Sequence, residues 1–600
     1  MKLSKIRIHN YRKLHDVEVN LGDATFLIGA NNSGKTSTLS AIEYLLTSKK
    51  LEPDCRSKFV DAEGEEQIIQ EDVIFEGTFT GVNPDILNER GFNADRLTRE
   101  EPDEDGNVTY SFVYRVRFSS DGKSYREMQM HKEKLKAVFE GCEKPQDFID
   151  KGADPNLFEG KELNKKFTQS DKKTFEDDYP SLFELEQDSG WFENPGGIPG
   201  NVLSKLPRFL KIKADVLSEE MDASKSSTLH DLLQYIFEDV RKDSEHYKNA
   251  AKELRALAQE MNPEDENSAF GQLMKDMNKV VDDVFPKASI NVETDLANAD
   301  SLKPKFGVTM SSNVTTDILH QGTGLVRSAV FALLRFDNSR REHIGEVDQR
   351  GLIIGFEEPE LFLHPNAAEN MRRVIYELAG NNSQIVATTH SPYMIDLSKR
   401  PKQVLNSYSV IANNFTKVTP FNLTKAFQDI EADDRARVKM IQKIDDYVSR
   451  VFFAQKVVIV EGDTEDIVFK KTISIMPDDV KKDILAKYQI IKATGKATMI
   501  SFVKYLKALN VDMFVVHDED SQTPGAVIMN APILAALDND SSKRLMMHDC
   551  IEDELGYAPP TSDKPFTAYK FVENWSCWND VHQNWKDKMK IVFSEYAIKL

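Results

Sequence analysis

Apolar residues recur along this chain in three rhythms. Alternation with period two marks the N-terminal MKLSKIRIHNYRKLHDVEVN and returns at 72–80 and 108–130 (DVIFEGTFT and VTYSFVYRVRFSSDGKSYREMQM), where the turn sequence SDGK interrupts it. These stretches read as antiparallel strands. Short continuous apolar runs, TFLI, GLIIGF, SQIVAT, VVIV and DMFVV, are bounded by polar turns and predict buried strands, several leading into helices. From about 160 to 290 the texture is polar and helical, clearest in LHDLLQYIFEDVRKDSEHYKNAAKELRALAQEM (229–261), whose apolar residues share one helix face.

Length makes this a multidomain protein, because 600 residues exceed one core and suggest three or four domains of about 150 residues each. Cys55, Cys142, Cys550 and Cys577 show neither CxxC spacing nor a disulfide framework, which fits a reducing cytoplasm and argues against structural zinc. No apolar run reaches transmembrane length, and the N-terminus alternates like a strand instead of reading as a signal peptide, so a soluble cytoplasmic protein without membrane contact is expected. The net charge of −21 opposes nucleic-acid binding at long range. Much of the acid, however, is concentrated in 60–105 and 135–190, which leaves room for a local basic channel.

Candidate chemistry begins at GANNSGKTST (29–38), between the strand TFLI and the helix LSAIEYLLTS. GxxxxGK[ST] in that context wraps backbone N–H groups around a polyphosphate: Gly29, Asn32 and Gly34 shape the loop, Lys35 reaches the β/γ oxygens and Thr36 the Mg²⁺. ATP or GTP is therefore the expected ligand. GLIIGFEEPELFLHP (351–365) ends a buried strand in two acids, with Glu357 on the Mg²⁺ water shell and Glu358 as general base. SQIVATTHSPYMID (383–396) ends another in His390, placed to contact the γ-phosphate. HQGTGLVRSAVFALLRF (320–336) is a glycine turn opening a helix, so Gly322, Thr323 and Gly324 can offer amides to a phosphate.

A second, unrelated set of acids follows. VFFAQKVVIVEGDTEDIVFKKTI (451–473) reads as strand, turn and helix, with Glu461 at the strand tip and Glu465 in the first helical turn. DMFVVHDED (512–520) is another strand, and period two places Asp518 and Asp520 on one face. Hard oxygens from two strand ends suit Mg²⁺ or Mn²⁺ and phosphodiester cleavage. IIKATGKATMISFVKYL (490–506) completes a βαβα unit, and HDCIEDELGY (548–557) adds Glu552 and Glu554 for a second ion. Ordinary acidic strand ends and an acidic helix start are the alternative account.

The order of phosphate loop, GTGLVRS, FEEPE and TTHSP resembles an ABC-type ATPase of the RecF/SMC group, although GTG stands where transporters carry LSGGQ and only Gln67 or Gln70 offers a glutamine loop. That resemblance implies a homodimer or higher oligomer in which one subunit's glycine signature closes over the other's nucleotide. VEGDTED with DED resembles a Toprim domain, whose first-strand glutamate and DxD pair match Glu461, Asp518 and Asp520. Both together resemble the OLD (overcoming lysogenization defect) family of ATP-dependent nucleases, which includes Gabija nuclease subunits and retron-associated effectors. The resemblance gives Lys564, in SDKPFTAYKFVE, the stabilisation of transition-state charge. It implies DNA as substrate, a role in anti-phage defence, and a UvrD-like helicase or a retron reverse transcriptase with its nucleic acid as partners.

The expected fold is thus α/β. An ABC-type (RecF/SMC-like) ATPase occupies 1–160 and 305–425 around a helical dimerisation insertion at 161–304, and a linker at 426–449 leads to a Toprim nuclease domain at 450–600. The expected activity is metal-dependent DNA cleavage regulated or powered by ATP. A nucleotide-gated clamp or sensor with a scaffold-only Toprim domain is the alternative. A topoisomerase or primase lacks a candidate tyrosine-nucleophile domain or cysteine-rich zinc module here.

Overall fold

The computed structural model describes residues 1–214 and 350–600 apart from a few short stretches, and within 215–349 chiefly 244–260 and 268–284. The chain forms two compact units, one of Met1–Phe209, Asp348–Glu360 and Ile375–Leu600, the other of Leu210–Val347 and Leu361–Val374.

In the first unit the period-two segments build one antiparallel sheet. Lys2–Tyr11 pairs with Leu14–Asn20 on one side and Val73–Val82 on the other, and Tyr110–Phe118 and Ser124–Gln129 extend it. Alternation sorts the faces: Ile6, Ile8, Phe75, Tyr114 and Val116 are buried, whereas Arg7, Glu76, Arg115 and Arg117 occupy the intervening positions. The helix Lys35–Leu46 covers the apolar face, and Tyr44 stacks on Phe75 with ring centroids 5.3 Å apart. SDGK makes the expected turn, with Ser119 N–H donating to the Lys123 carbonyl and Gly122 at a φ of 84°.

The continuous apolar runs form a second sheet. Its spatial order is Arg208–Ile212, Leu352–Glu357, Ser383–Thr388, Ala24–Gly29, Gln403–Val410, Thr416–Asn422; the four from Leu352–Glu357 to Gln403–Val410 are parallel and Thr416–Asn422 is antiparallel. Parallel strands deliver their carboxyl ends to one edge, so the phosphate loop, the Glu357–Glu358 pair and His390 arrive together. Buried Gln384 ties this sheet to the first: its amide donates to the carbonyls of Leu3 and Gly22, and its oxygen accepts from Leu3 N–H.

A third sheet, wholly parallel, has the order Tyr488–Lys492, Lys456–Val460, Met513–Asp518, Arg544–Met547. Val457, Val458, Ile459 and Val460 are fully buried, as a central parallel strand requires. Trp585, on the helix Gln583–Val592, packs edge-on against Phe469 and donates its indole N–H to Thr472 Oγ1.

The stretch 161–304, read from sequence as helical, also contains strands. Trp191–Glu193 pairs antiparallel with Ser124–Gln129, and Arg208–Ile212 is extended. The helices Glu245–Glu260 and Ala269–Val284 follow. Most of 229–243, and GTGLVRS with Gly322, Thr323 and Gly324, lie outside the described residues.

Candidate functional site

The phosphate loop is shaped by three left-handed residues, Gly29 (φ 138°), Asn32 (φ 58°) and Gly34 (φ 102°). A Cβ at Gly29 would run into the Tyr408 carbonyl oxygen, and one at Gly34 would lie 2.6 Å from Leu14 Cδ2, so both positions need glycine for space as well as conformation. Thr416 Oγ1 donates to the Ser33 carbonyl, and Thr38 shares a buried hydroxyl hydrogen bond with Tyr408. Neighbouring strands therefore brace the loop before nucleotide arrives. Lys35 Nζ donates to the carbonyls of Gly29 (3.0 Å) and Ala30 (2.8 Å). Burial pushes its pKa down to about 8, opposed by the Glu358 carboxylate. Thr36, at the helix start, is exposed.

Glu357 and Thr388 are register partners on adjacent strands, and Glu358 follows at a φ of 42° with its N–H donating to both the carbonyl and the hydroxyl of Thr388. That turn directs Glu358 towards His390, whose Nε2 lies 3.7 Å from Glu358 Oε1. Burial lowers the His390 pKa, Lys35 adds to the effect and Glu358 opposes it. Lys35, Glu358 and His390 thus form one cluster. Sequence reasoning missed Glu360, whose Oε1 accepts from Thr389 Oγ1 (2.6 Å) and the His390 N–H (3.1 Å) and so holds the His390 turn. Its place in FEEPE was the available signal.

At the second site, Glu461 immediately follows the buried strand Lys456–Val460, and its carbonyl accepts from Gly495 N–H. Glu465 lies in the first turn of the helix Asp463–Ile475, where its Oε2 caps Gly462 N–H at 2.8 Å. Asp518 ends the strand Met513–Asp518, and there the period-two expectation for Asp520 fails. The strand stops, Asp520 adopts a φ of 54°, and its N–H donates to the Asp549 carbonyl, so a turn sets its direction. Asp520 Oδ2 meets Lys496 Nζ at 2.7 Å. Glu552 and Glu554 are both buried on the short helix Ile551–Leu555. Glu554 accepts from His548 N–H and pairs with Lys588 at 3.1 Å, whereas Lys564, its side chain 49% exposed, stands 3.8 Å from Glu552.

These acids lack enough positive charge. Burial raises Asp518 to about 9, helped by Glu465, Glu461, Asp520 and Glu552. Burial likewise raises Glu461 to about 7, against the pull of Lys496, and raises Glu465. Glu461 Oε2, Asp518 Oδ1 and both carboxylate oxygens of Glu552 are buried without a hydrogen-bond partner among the described residues. Hard oxygen donors, orphaned and mutually repelling, fit a divalent cation. Among the described residues no three His, Cys, Asp or Glu side chains already converge at coordinating spacing. Lys496, Asp549 and the buried His517, whose Nδ1 lies 2.8 Å from the Asp518 carbonyl, were not singled out from sequence. A lysine beside a glycine turn carries no metal-site signal of its own.

The two sites define an ATPase followed by a Toprim domain. Comparison agrees: the family described as AAA ATPase domain matches residues 1–395, and the overcoming lysogenization defect protein-like TOPRIM domain matches 452–520. The chain belongs to that AAA ATPase family and carries the OLD-like Toprim domain with it. It is 22% identical to the Old nuclease of Escherichia phage P2 over 83% of this chain and 76% of the relative. It is 25% identical to the OLD nuclease of Thermus scotoductus over 86% and 82%. With the endonuclease GajA of Bacillus cereus it shares 26% identity over 33% of this chain and 32% of that protein. No helix among the described residues is long and apolar enough to cross a membrane.

Proposed function

We propose that this protein is a DNA endonuclease, dependent on Mg²⁺ or Mn²⁺ and regulated by ATP, that acts in defence against phage. The carrying observation is the set of orphaned carboxylate oxygens on Glu461, Asp518 and Glu552 at the carboxyl ends of a parallel sheet. A bound divalent ion supplies the charge that polarises a scissile phosphodiester and activates water. Glu461, Asp518 and Glu552 are its first ligands, with Glu465 and Glu554 in support, and half-exposed Lys564 meets negative charge building on the phosphate from the solvent side. The names of the relatives support the nuclease reading. At the phosphate loop, Lys35 and Thr36 hold the triphosphate and its Mg²⁺, Glu357 orders the ion's water, Glu358 takes the proton of the attacking water, and His390 contacts the γ-phosphate.

Asp518→Ala tests this. Plasmid nicking in Mg²⁺ or Mn²⁺ is expected to fall by on the order of 100-fold or more, since losing a ligand costs more than the roughly 10–100-fold of an outer-shell partner. ATP binding is expected to be unchanged. Undiminished nicking ends the assignment.

The proposed active form is a dimer, because the phosphate loop covers one side of the nucleotide and GTGLVRS of a second copy supplies amides to the other. Mixing Glu358→Gln chains with Gly324→Asp chains is expected to restore ATPase activity above either alone. If subunits exchange and none returns, the composite site is wrong.

A further inference from the structure

Three lysines face the acids of the Toprim centre, and they differ in kind. Lys564 and Lys588 approach from the edge, with side chains 49% and 25% exposed. Lys496 is 4% exposed, a burial that an ammonium tolerates only when fully engaged. Its Nζ meets Asp520 Oδ2 at 2.7 Å, Asn530 Oδ1 at 2.9 Å and the Glu519 carbonyl at 3.5 Å. Asn530 is itself oriented, because its amide donates to that same Glu519 carbonyl at 2.8 Å. The backbone is fixed as well: Gly495, at a φ of 105°, donates to the carbonyl of Glu461 and starts the helix Lys496–Ala508. Asp520 is turned towards Lys496 by its own left-handed conformation and its bond to Asp549. The charge is thus built in from both sides. Meanwhile the buried oxygens without a hydrogen bond are on Glu461, Asp518 and Glu552, whereas Asp520 turns its Oδ2 to Lys496.

We propose that Lys496 is the resident counter-cation of this centre. It takes the place of a divalent ion on the Asp520 side, withdraws Asp520 from the ligand set, and confines the metal to Glu461, Asp518 and Glu552. The inference rests on reading the cluster as a divalent metal centre, and its test reads metal binding directly instead of cleavage. A fixed positive charge beside the ion weakens ion binding through Coulomb repulsion, while its loss frees Asp520 as an additional oxygen donor.

Mn²⁺ binding to the full-length protein, without DNA or nucleotide, is to be followed by electron paramagnetic resonance of the free ion and by calorimetry. Lys496→Met is expected to bind Mn²⁺ about tenfold more tightly than wild type, and Lys496→Gln, which retains a polar contact for Asn530, to move in the same direction. Lys496→Arg should keep wild-type affinity. In the Lys496→Met background Asp520→Asn should erase the gain, because the freed oxygen donor is then lost. Weaker Mn²⁺ binding by folded Lys496→Met and Lys496→Gln overturns the proposal and makes Lys496 a scaffold for an Asp520 ligand, and a gain in Lys496→Met that survives Asp520→Asn overturns the release of Asp520. Absence of Mn²⁺ binding in every variant, with Asp518→Ala indistinguishable from wild type, overturns the metal reading and this inference together.

Discussion

Lys35 shows how burial tunes one side chain for its task. With its ammonium on two backbone carbonyls and its pKa pushed down to about 8 by desolvation, it is mostly charged at neutral pH yet close to losing its proton. A bound triphosphate favours the charged form, so above pH 8 binding must take up a proton and affinity falls. The ATP Kd is therefore expected to be flat from pH 6.5 to about 7.5 and to rise towards tenfold per unit beyond about 8.5. Lys35→Ala should bind weakly at every pH. Calorimetric titrations across that range decide the matter, and a profile flat to pH 9.5 contradicts it. Lys35, Thr36, Glu358, Glu461 and Asp518 were legible as residues because spacing in the chain announces them. What their surroundings do to them was not: burial depends on residues hundreds of positions away.

At the scale of elements, the Toprim centre depends on helices that pack behind its strands. Trp585 has no exposed surface, lies edge-on to Phe469 and is bonded through Nε1 to Thr472, so the C-terminal helix is pinned to the helix that carries Glu465. Trp585→Ala should cost about 3–5 kcal/mol, transfer and cavity together, whereas Trp585→Phe should cost less by keeping a ring while losing the hydrogen bond, itself worth about 1 kcal/mol. Denaturant unfolding monitored on this domain separates the two, and equal losses would show that the hydrogen bond dominates. Strand period served well within strands and failed at Asp520, because alternation ends where the ladder ends. From there hydrogen bonding to Asp549 sets the direction.

Across the first unit, the ATPase and Toprim sheets are joined by identifiable contacts. Asp434, on the helix Ala432–Ile444, receives hydrogen bonds from Ser501 (2.6 Å) and Lys504 (2.7 Å) on the helix that begins with Lys496. Burial pushes the Asp434 pKa up, but those two bonds outweigh it and hold it low, so the Asp434 carboxylate is charged at neutral pH. Ser449 Oγ donates to the carbonyl of Pro392, two residues past His390, and the turn Val448–Phe453 leads into the strand that Glu461 immediately follows. In the proposed function, a γ-phosphate bound at His390 would act on the carboxylate cluster through this contact. Combining Asp434→Ala with Ser449→Ala should bring the ATP-induced change in cleavage rate close to onefold, while ATP affinity and nucleotide-free cleavage stay within about twofold. Cleavage assays with and without ATP provide the check, and an undiminished response places the coupling elsewhere.

The sequence by itself determined the two chemistries and their order along the chain. Phosphate gripping and carboxylate clustering at strand ends are local patterns, readable wherever an apolar run meets glycine and acid. It also determined the alternating strands and the parallel runs, because hydrophobic period follows from which faces must be buried. Tertiary structure alone decided that Tyr408 and Leu14 crowd the loop glycines, that Glu360 braces the His390 turn, and that Lys496 is the cation held by Asp520. Each of these is a contact between residues with no shared local pattern. Such contacts exist only once the sheets have brought distant segments within hydrogen-bonding reach, and no spacing rule along the chain encodes them.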